Sequence, residues 1–448
     1  MLQIKSVIRL LCLSLMIFYF APEAWAQSAD ISGQGEGLQT QDGQNVIVIR
    51  PRDDLATPKY RIAVSELAAL SGRPGNQTVE LPERLEKNLD MTGLFTNLDR
   101  RSFLETDPRI GVDSGQPDFE AWKRINAEFL VKGGISVSGS KMTLDMRLYD
   151  AVMGKQLLSK QYSGSSKETY KLINRFTNDL LAAITGTPGV FGSQIIFASG
   201  SVQDQVIMMT ELGGDKPVQV SKHKGRSTQP TMGPGGRTAW THRNGDKWEL
   251  LVDGKVISSG PLHLSPAFKP DGTVAAAYSE AQKTSIYAFS GRSKTLLSGL
   301  GGINVSPTFS PDGSRMAFAS NQDGVTSIYI GSASGGGASR LTTGAKATDP
   351  AWSPTGEYIV FVTRETDICI IRPDGTGFRQ LTGGQGANHR PSFSPDGRMI
   401  VFSSTRGGGG HKLYIMSANG DKQQPLMPDN RANQELPYWC PTMPADYK

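Results

Sequence analysis

The chain has 448 residues, with 47 Lys and Arg against 42 Asp and Glu and a formal net charge of +5. So small an excess, with no basic run or stripe, excludes the electrostatic footprint of a nucleic-acid binder. Beyond the first 26 residues no stretch approaches the ~18 uninterrupted apolar residues of a membrane-spanning helix, so no membrane insertion is expected.

Residues 1–26 read as a secretory signal peptide. Lys5 and Arg9 give the positive start, Leu10 to Phe20 the short apolar run, and Ala24-Trp25-Ala26 the small residues of a cleavage site. Cys12 lies near the start of that run, not at its end, so a lipid anchor is rejected. Residues 27–43 are rich in Gly, Gln, Ser and Asp and read as a flexible tail. Gly33-Gln34-Gly35-Glu36-Gly37 in that tail has the wrong spacing for a dinucleotide loop.

Residues 44–186 mix two periodicities. Strands are predicted at Val46 to Ile49, Arg61 to Val64, Phe129 to Lys132, Met142 to Leu148 and Gln156 to Leu158. Helices are predicted at Leu81 to Asp90, Phe119 to Asn126 and Lys167 to Ile184. The expectation is a small α/β domain with helices on one side of a sheet. Thr185-Gly186-Thr187-Pro188-Gly189 breaks the last helix and marks the domain boundary.

From 187 to 448 one unit recurs. It is plain at Ser265-Pro266-Ala267-Phe268-Lys269-Pro270-Asp271-Gly272, Ser306 to Gly313 and Arg390 to Gly397, varied at Asp349 to Gly356, weak from Gln229-Pro230, and cut short at Leu436-Pro437-Tyr438-Trp439-Cys440-Pro441. The first prolines stand at 230, 266, 307, 350, 391 and 437. A period near 40 suits a propeller blade, and Ser-Pro-Asp-Gly suits a type I turn between strands, whereas so much Gly and Pro would break helical repeats. Arg372-Pro373-Asp374-Gly375 copies the turn but follows a third strand, so it starts no blade. Ile195 to Ala198, Val206 to Met209 and Val218 to Val220 supply the three strands that the C-terminal fragment lacks. The fold expected is mainly β: a six-bladed propeller closed by both ends of the domain, with the smaller α/β domain before it.

No Gly-x-Ser-x-Gly elbow, P-loop or His-Glu-x-x-His helix occurs. The histidines, His223, His242, His263, His389 and His411, fall in predicted loops without metal-motif spacing, so no cofactor and no metal are expected. Asp312 and Asp396 are explained by the turns they sit in. Cys369 falls where other repeats carry Tyr and reads as packed and free, so no bridge to Cys440 is expected, and Asn76-Gln77-Thr78 reads as a chance sequon. An exported enzyme or sugar-binding module with a ligand or metal in its central channel remains the alternative to a binding scaffold.

The combination resembles the TolB family, the periplasmic propellers of the Tol-Pal system, over residues 60–445. The specific resemblance lies before the blades, in Asn88-Leu89-Asp90-Met91-Thr92-Gly93-Leu94-Phe95 with Leu98-Asp99-Arg100, in Trp122 to Gly133, and in Leu181 to Gly186. It implies a monomeric, non-enzymatic periplasmic scaffold that binds the lipoprotein Pal at one mouth of the propeller and contacts TolA through its N-terminus. It also implies a role in outer-membrane integrity during cell division. Residues 27–43 do not reproduce the family's short hydrophobic-polar TolA segment. Binding residues concentrate in irregular loops, and here those precede each repeat proline: 226–229, 262–265, 303–306, 347–349, 388–390 and 433–436. The expected partner site is therefore His263, Asn304, Asp349, His389, Arg390 and Glu435, with Ser265 and Val305 at positions that contact Pal in the family, each changed in type here.

Overall fold

The structure, a computed structural model, describes residues 59–214, 216–280, 283–291 and 293–444. The signal, the tail and the Val46 to Ile49 strand lie outside the described residues. No helix among the described residues is long and apolar enough to cross a membrane.

The first domain is built on one sheet. Strand β1 (Tyr60–Val64) runs parallel to β3 (Phe95–Asn97) on one side and β4 (Phe129–Ser138) on the other. Strands β5 (Lys141–Asp150) and β6 (Lys155–Ser165) extend it antiparallel, and β2 (Ala68–Ser71) pairs with the far half of β4. Period-two alternation splits β1 between two cores. Ile62 and Val64, with Val131 and Leu148, pack against helices α1 (Gln77–Met91) and α3 (Thr169–Thr185). Ala63, with Leu130 and Tyr149, packs instead against Trp122 of the short helix α2 (Phe119–Arg124). The one-sided arrangement expected from the sequence is thus corrected: apolar residues at successive strand positions point to opposite faces, and each face needs a cover. Gly186, at φ 74°, ends α3 in the left-handed conformation that Gly adopts without a Cβ clash.

Six four-stranded sheets follow, five of them pairing in chain order from an inner to an outer strand. Blades one to five begin at Ser227, His263, Asn304, Ala347 and Asn388. The sixth takes its inner strand, Gln434–Trp439, from the C-terminus and pairs it with Gln194–Ser201 from the start of the domain. Adjacent blades share their cores: Phe318 and Tyr329 of blade three meet Ile286 of blade two, and Phe402 of blade five meets Val360 of blade four. This explains second strands that are apolar on both faces. Each Ser-Pro-Asp-Gly turn closes as expected, Gly313 N–H donating to Ser310 O at 2.9 Å and Gly397 N–H to Ser394 O at 2.9 Å. Asp312 accepts from the Ser310 hydroxyl and the Ser314 N–H, and these bonds hold its carboxyl down at about 2. Cys369 and Cys440 are buried and unbridged.

The α/β domain sits on the face that carries those turns, over blades five and six. Arg398, just after the blade-five turn, donates to Thr185 Oγ1 at 3.0 Å, and Lys422 pairs with Asp90 at 2.5 Å. Arg84 caps Gly213 O at 2.9 Å, while buried Asn88 donates to Asn174 Oδ1 at 3.0 Å. Asn174 in turn donates to Leu212 O, so the helix pair is hydrogen-bonded into the blade-six hairpin. None of these contacts involves the opposite face, where the inner strands begin.

Candidate mouth and channel site

The inner strands share one distortion. In each blade the register slips across two residues, the second being the repeat proline: Leu264 pairs with Ala277 and Ala267 with Ala275, so Ser265 and Pro266 together oppose Ala276. The slip recurs in all six blades. A bulge has a residue outside the ladder, which is where a proline without an N–H is tolerated. The residue before each proline takes a positive φ of 49–54°: Gln229, Ser265, Ser306, Asp349, Arg390 and Leu436. None is Gly, and left-handed backbone costs a non-Gly residue on the order of 1–3 kcal/mol. Five of the six side chains, all but that of Ser265, line the central channel, a space of about 310 Å³.

Hydrogen bonds tie this ring together. Ser265 N–H donates to Gln229 Oε1 at 2.7 Å, and the Ser265 and Ser306 hydroxyls lie 3.4 Å apart. Ser306 donates to Asp349 at 3.3 Å, and the Arg390 Nε–Asp349 ion pair measures 3.2 Å. Arg390 also reaches across the channel to donate to Ser265 Oγ at 2.9 Å. Arg390 therefore links Ser265 and Asp349 into one ring at the channel wall, and the three are not separate anchors on loops.

One residue nearer the mouth stand Thr228, Leu264, Val305, Thr348, His389 and Glu435. Of these Val305, His389 and Glu435 were expected, and all three are half-buried at the rim. His389 lies against the His411 ring, centroids 5.5 Å apart, and His411 Nδ1 is 3.2 Å from Glu435 Oε1. Glu435 also accepts from Gln205 at 3.0 Å and Asn433 at 2.5 Å, and Arg226 donates to Gln205 at 3.3 Å. Burial alone would raise the Glu435 carboxyl, but His411 and Asn433 outweigh it and hold it low. Burial lowers His389, with His411 adding to the effect against Asp349 and Glu435. The rim is thus ionisable on blades five and six and apolar at Leu264 and Val305 on blades two and three. Gln205 and His411 come from other strands and loops, and no local pattern joins them to Glu435; Arg226 opens one of the expected loops but is not among the named site residues.

Two expected residues do not reach the mouth. His263 and Asn304 are both 0 % exposed. Asn304 donates to Thr284 O at 3.0 Å and Leu300 O at 2.9 Å, clamping blade three to blade two. His263 packs on Tyr278 and Phe289. The loop assignment fails here, and also for His242 and His389, because the bulge lets the inner strand pair before the proline as well as after it. Among the described residues no group of three or more His, Cys, Asp or Glu side chains could hold a metal.

Comparison with known families follows the same division. A family model described as the TolB beta propeller domain matches residues 181–443, and one described as the TolB amino-terminal domain matches residues 53–157. The chain belongs to the TolB family. A TolB homolog of Chlorobium luteolum is 33% identical over 396 residues, covering 85% of this chain and 90% of that one. A Tol-Pal system protein TolB of Desulfosudis oleivorans is 32% identical over 221 residues, 47% of this chain and 50% of the relative. Matches to further Tol-Pal relatives span less than half of their lengths. The crystal structure of TolB from Acinetobacter baumannii superposes with a TM-score of 0.74 at 21% identity, over 86% of this chain and 98% of that one, which shows the shared fold.

Burial gives this TolB-family propeller an acid-sensitive seam. His263 is pushed down to about 4, first by burial and then by Lys294. Its folded value lies below the unfolded value, so protonation favours the unfolded chain as the pH falls from about 6.5 to 4. Stability should then fall by at most about 1.4 kcal/mol per pH unit from this group. His263→Phe should flatten the dependence of the melting temperature between pH 7 and 5. A variant as acid-sensitive as the parent would show that His263 is not the group responsible.

Proposed function

We propose that this chain is the periplasmic propeller of a Tol-Pal system. On this reading it is a non-enzymatic scaffold that docks the peptidoglycan-associated lipoprotein Pal at the open mouth and supports outer-membrane integrity during division. Export through residues 1–26 belongs to the same reading. What carries it is the placement of the α/β domain. It covers the turn face over blades five and six, so that among the described residues it stays clear of the mouth where Val305, His389 and Glu435 stand beside the channel ring. A mouth with an apolar arc and a polar arc suits a protein surface: apolar contacts supply burial and placed charges supply register.

The channel pair is a poor probe of docking, because reversing Asp349 or Arg390 breaks the ring itself. The rim is better. Val305→Lys and Thr348→Lys place a charge at the mouth, whereas Glu357→Lys places one on an exposed site beside the blade-four turn. Calorimetry against the soluble domain of the cognate Pal should show about tenfold or greater loss for each rim variant, the scale of a hot-spot residue, and none for Glu357→Lys. Melting temperatures check that all three fold. Equal losses at both faces, or none at either, would remove the mouth as the Pal site.

A further inference from the structure

All five histidines of the chain lie toward the open mouth: at the first or second position of inner strands (His263, His389), near the end of a second strand (His242), and in loops on that side (His223, His411). Four of them form two touching pairs. His389 meets His411 with centroids 5.5 Å apart, and His223 meets His242 at 5.2 Å. The blade scaffold does not require them, since the position of His389 is Leu264, Val305 or Thr348 in other blades.

The carboxylates that could neutralise a second cation in the first pair are already engaged. From blade six Glu435 faces His389 but is bound to His411. From blade four Asp349 faces it but is paired with Arg390, and Glu365 is paired with Lys346. In the second pair His242 faces Glu249, which accepts from Asn244, while Lys222 and Lys224 flank His223. Like charges this close repel, and the repulsion grows when a partner removes the intervening water.

We propose that docking at this mouth is proton-linked: a partner closes over each histidine pair only when the pair carries at most one proton, so docking releases protons and weakens as the pH falls. The inference rests on the mouth being the partner site. Histidine ordinarily titrates between pH 5 and 8, and burial moves His389 and His242 down from that ordinary value, toward the uncharged form. Each proton that must leave weakens binding by up to about tenfold per pH unit.

The test is calorimetry of the full mature chain with the soluble domain of the cognate Pal at pH 7.5, 6.5 and 5.5. Two buffers of different ionisation enthalpy count the protons released. The dissociation constant should rise about tenfold or more from pH 7.5 to 5.5, with net proton release at pH 6.5. The slope should flatten in His389→Gln/His411→Gln and flatten further when His223→Gln is added. A pH-independent constant, proton uptake on docking, or a triple variant with the parental slope would overturn the inference and leave the mouth assignment standing. Absence of binding at every pH would remove the mouth assignment and the inference with it.

Discussion

Removing residues 434–448 is expected to lower the melting temperature by about 10 °C or more and to drive the chain into aggregates. The deleted segment is the inner strand of the sixth blade. Trp439 is 1% exposed, donates its indole N–H to Ser193 Oγ at 2.8 Å and its backbone N–H to Ser392 Oγ at 3.0 Å. Truncating one buried Trp costs on the order of 3–5 kcal/mol, and each kcal/mol moves the midpoint of a 150–250-residue domain by about 2–4 °C. The damage continues beyond the deletion. Gln194–Ser201 would lose its pairing along one edge and bare Ile195 and Phe197, both now buried. An unpaired apolar edge is a template for another chain. Scanning calorimetry and size-exclusion chromatography with light scattering read both effects. An unchanged midpoint with no aggregation would mean that the ring does not depend on this closure.

Lys132→Ala should destabilise the α/β domain by about 3–5 kcal/mol. Lys132 is 0% exposed in the middle of the sheet, and its ammonium donates to Glu105 Oε1 at 2.9 Å and Asp107 O at 3.1 Å. Glu105 spends its other oxygen on the Asp118 N–H at 2.7 Å, the entry to α2. One ion pair therefore pins the irregular segment from 103 to 118 onto the face that Trp122 covers. Removing the lysine leaves a buried carboxylate without its cation, which costs more than the pair contributes when intact. Lys132→Met with Glu105→Leu should recover most of the loss, since two apolar groups leave no charge to solvate. Urea unfolding followed by far-ultraviolet circular dichroism gives the energies. A single variant as stable as the parent, or a double variant worse than the single, would show that the pair does not anchor the segment.

The truncation and the buried pair differ in how far the sequence announces them. The sixth blade can be counted from prolines and from three strands without a partner, because the propeller repeats its local chemistry and closure demands a fourth strand. The Ser-Pro-Asp-Gly turns are legible for the same reason: turn type follows from four adjacent residues. Lys132 sits in a strand-like run whose pattern says only that the position alternates, and its partner is 27 residues away.

The site divides in the same way. The sequence by itself determined the blade repeat, the α/β domain before it and the region of each blade where a mouth would form, since these depend on spacing and on residues adjacent in the chain. It could not decide which of those residues reach the mouth. The bulge before each proline turns Arg390 and Asp349 into the channel and keeps His263 and Asn304 in the blade seams, although all four share a similar sequence context. Nor could it join His411, Glu435 and Gln205, which come from different segments. Only the tertiary structure decided this, because ring closure brings the two ends of the domain into one blade and sets side chains more than 200 residues apart within hydrogen-bond distance. Which face the α/β domain covers is likewise set by a contact between surfaces that no local pattern encodes.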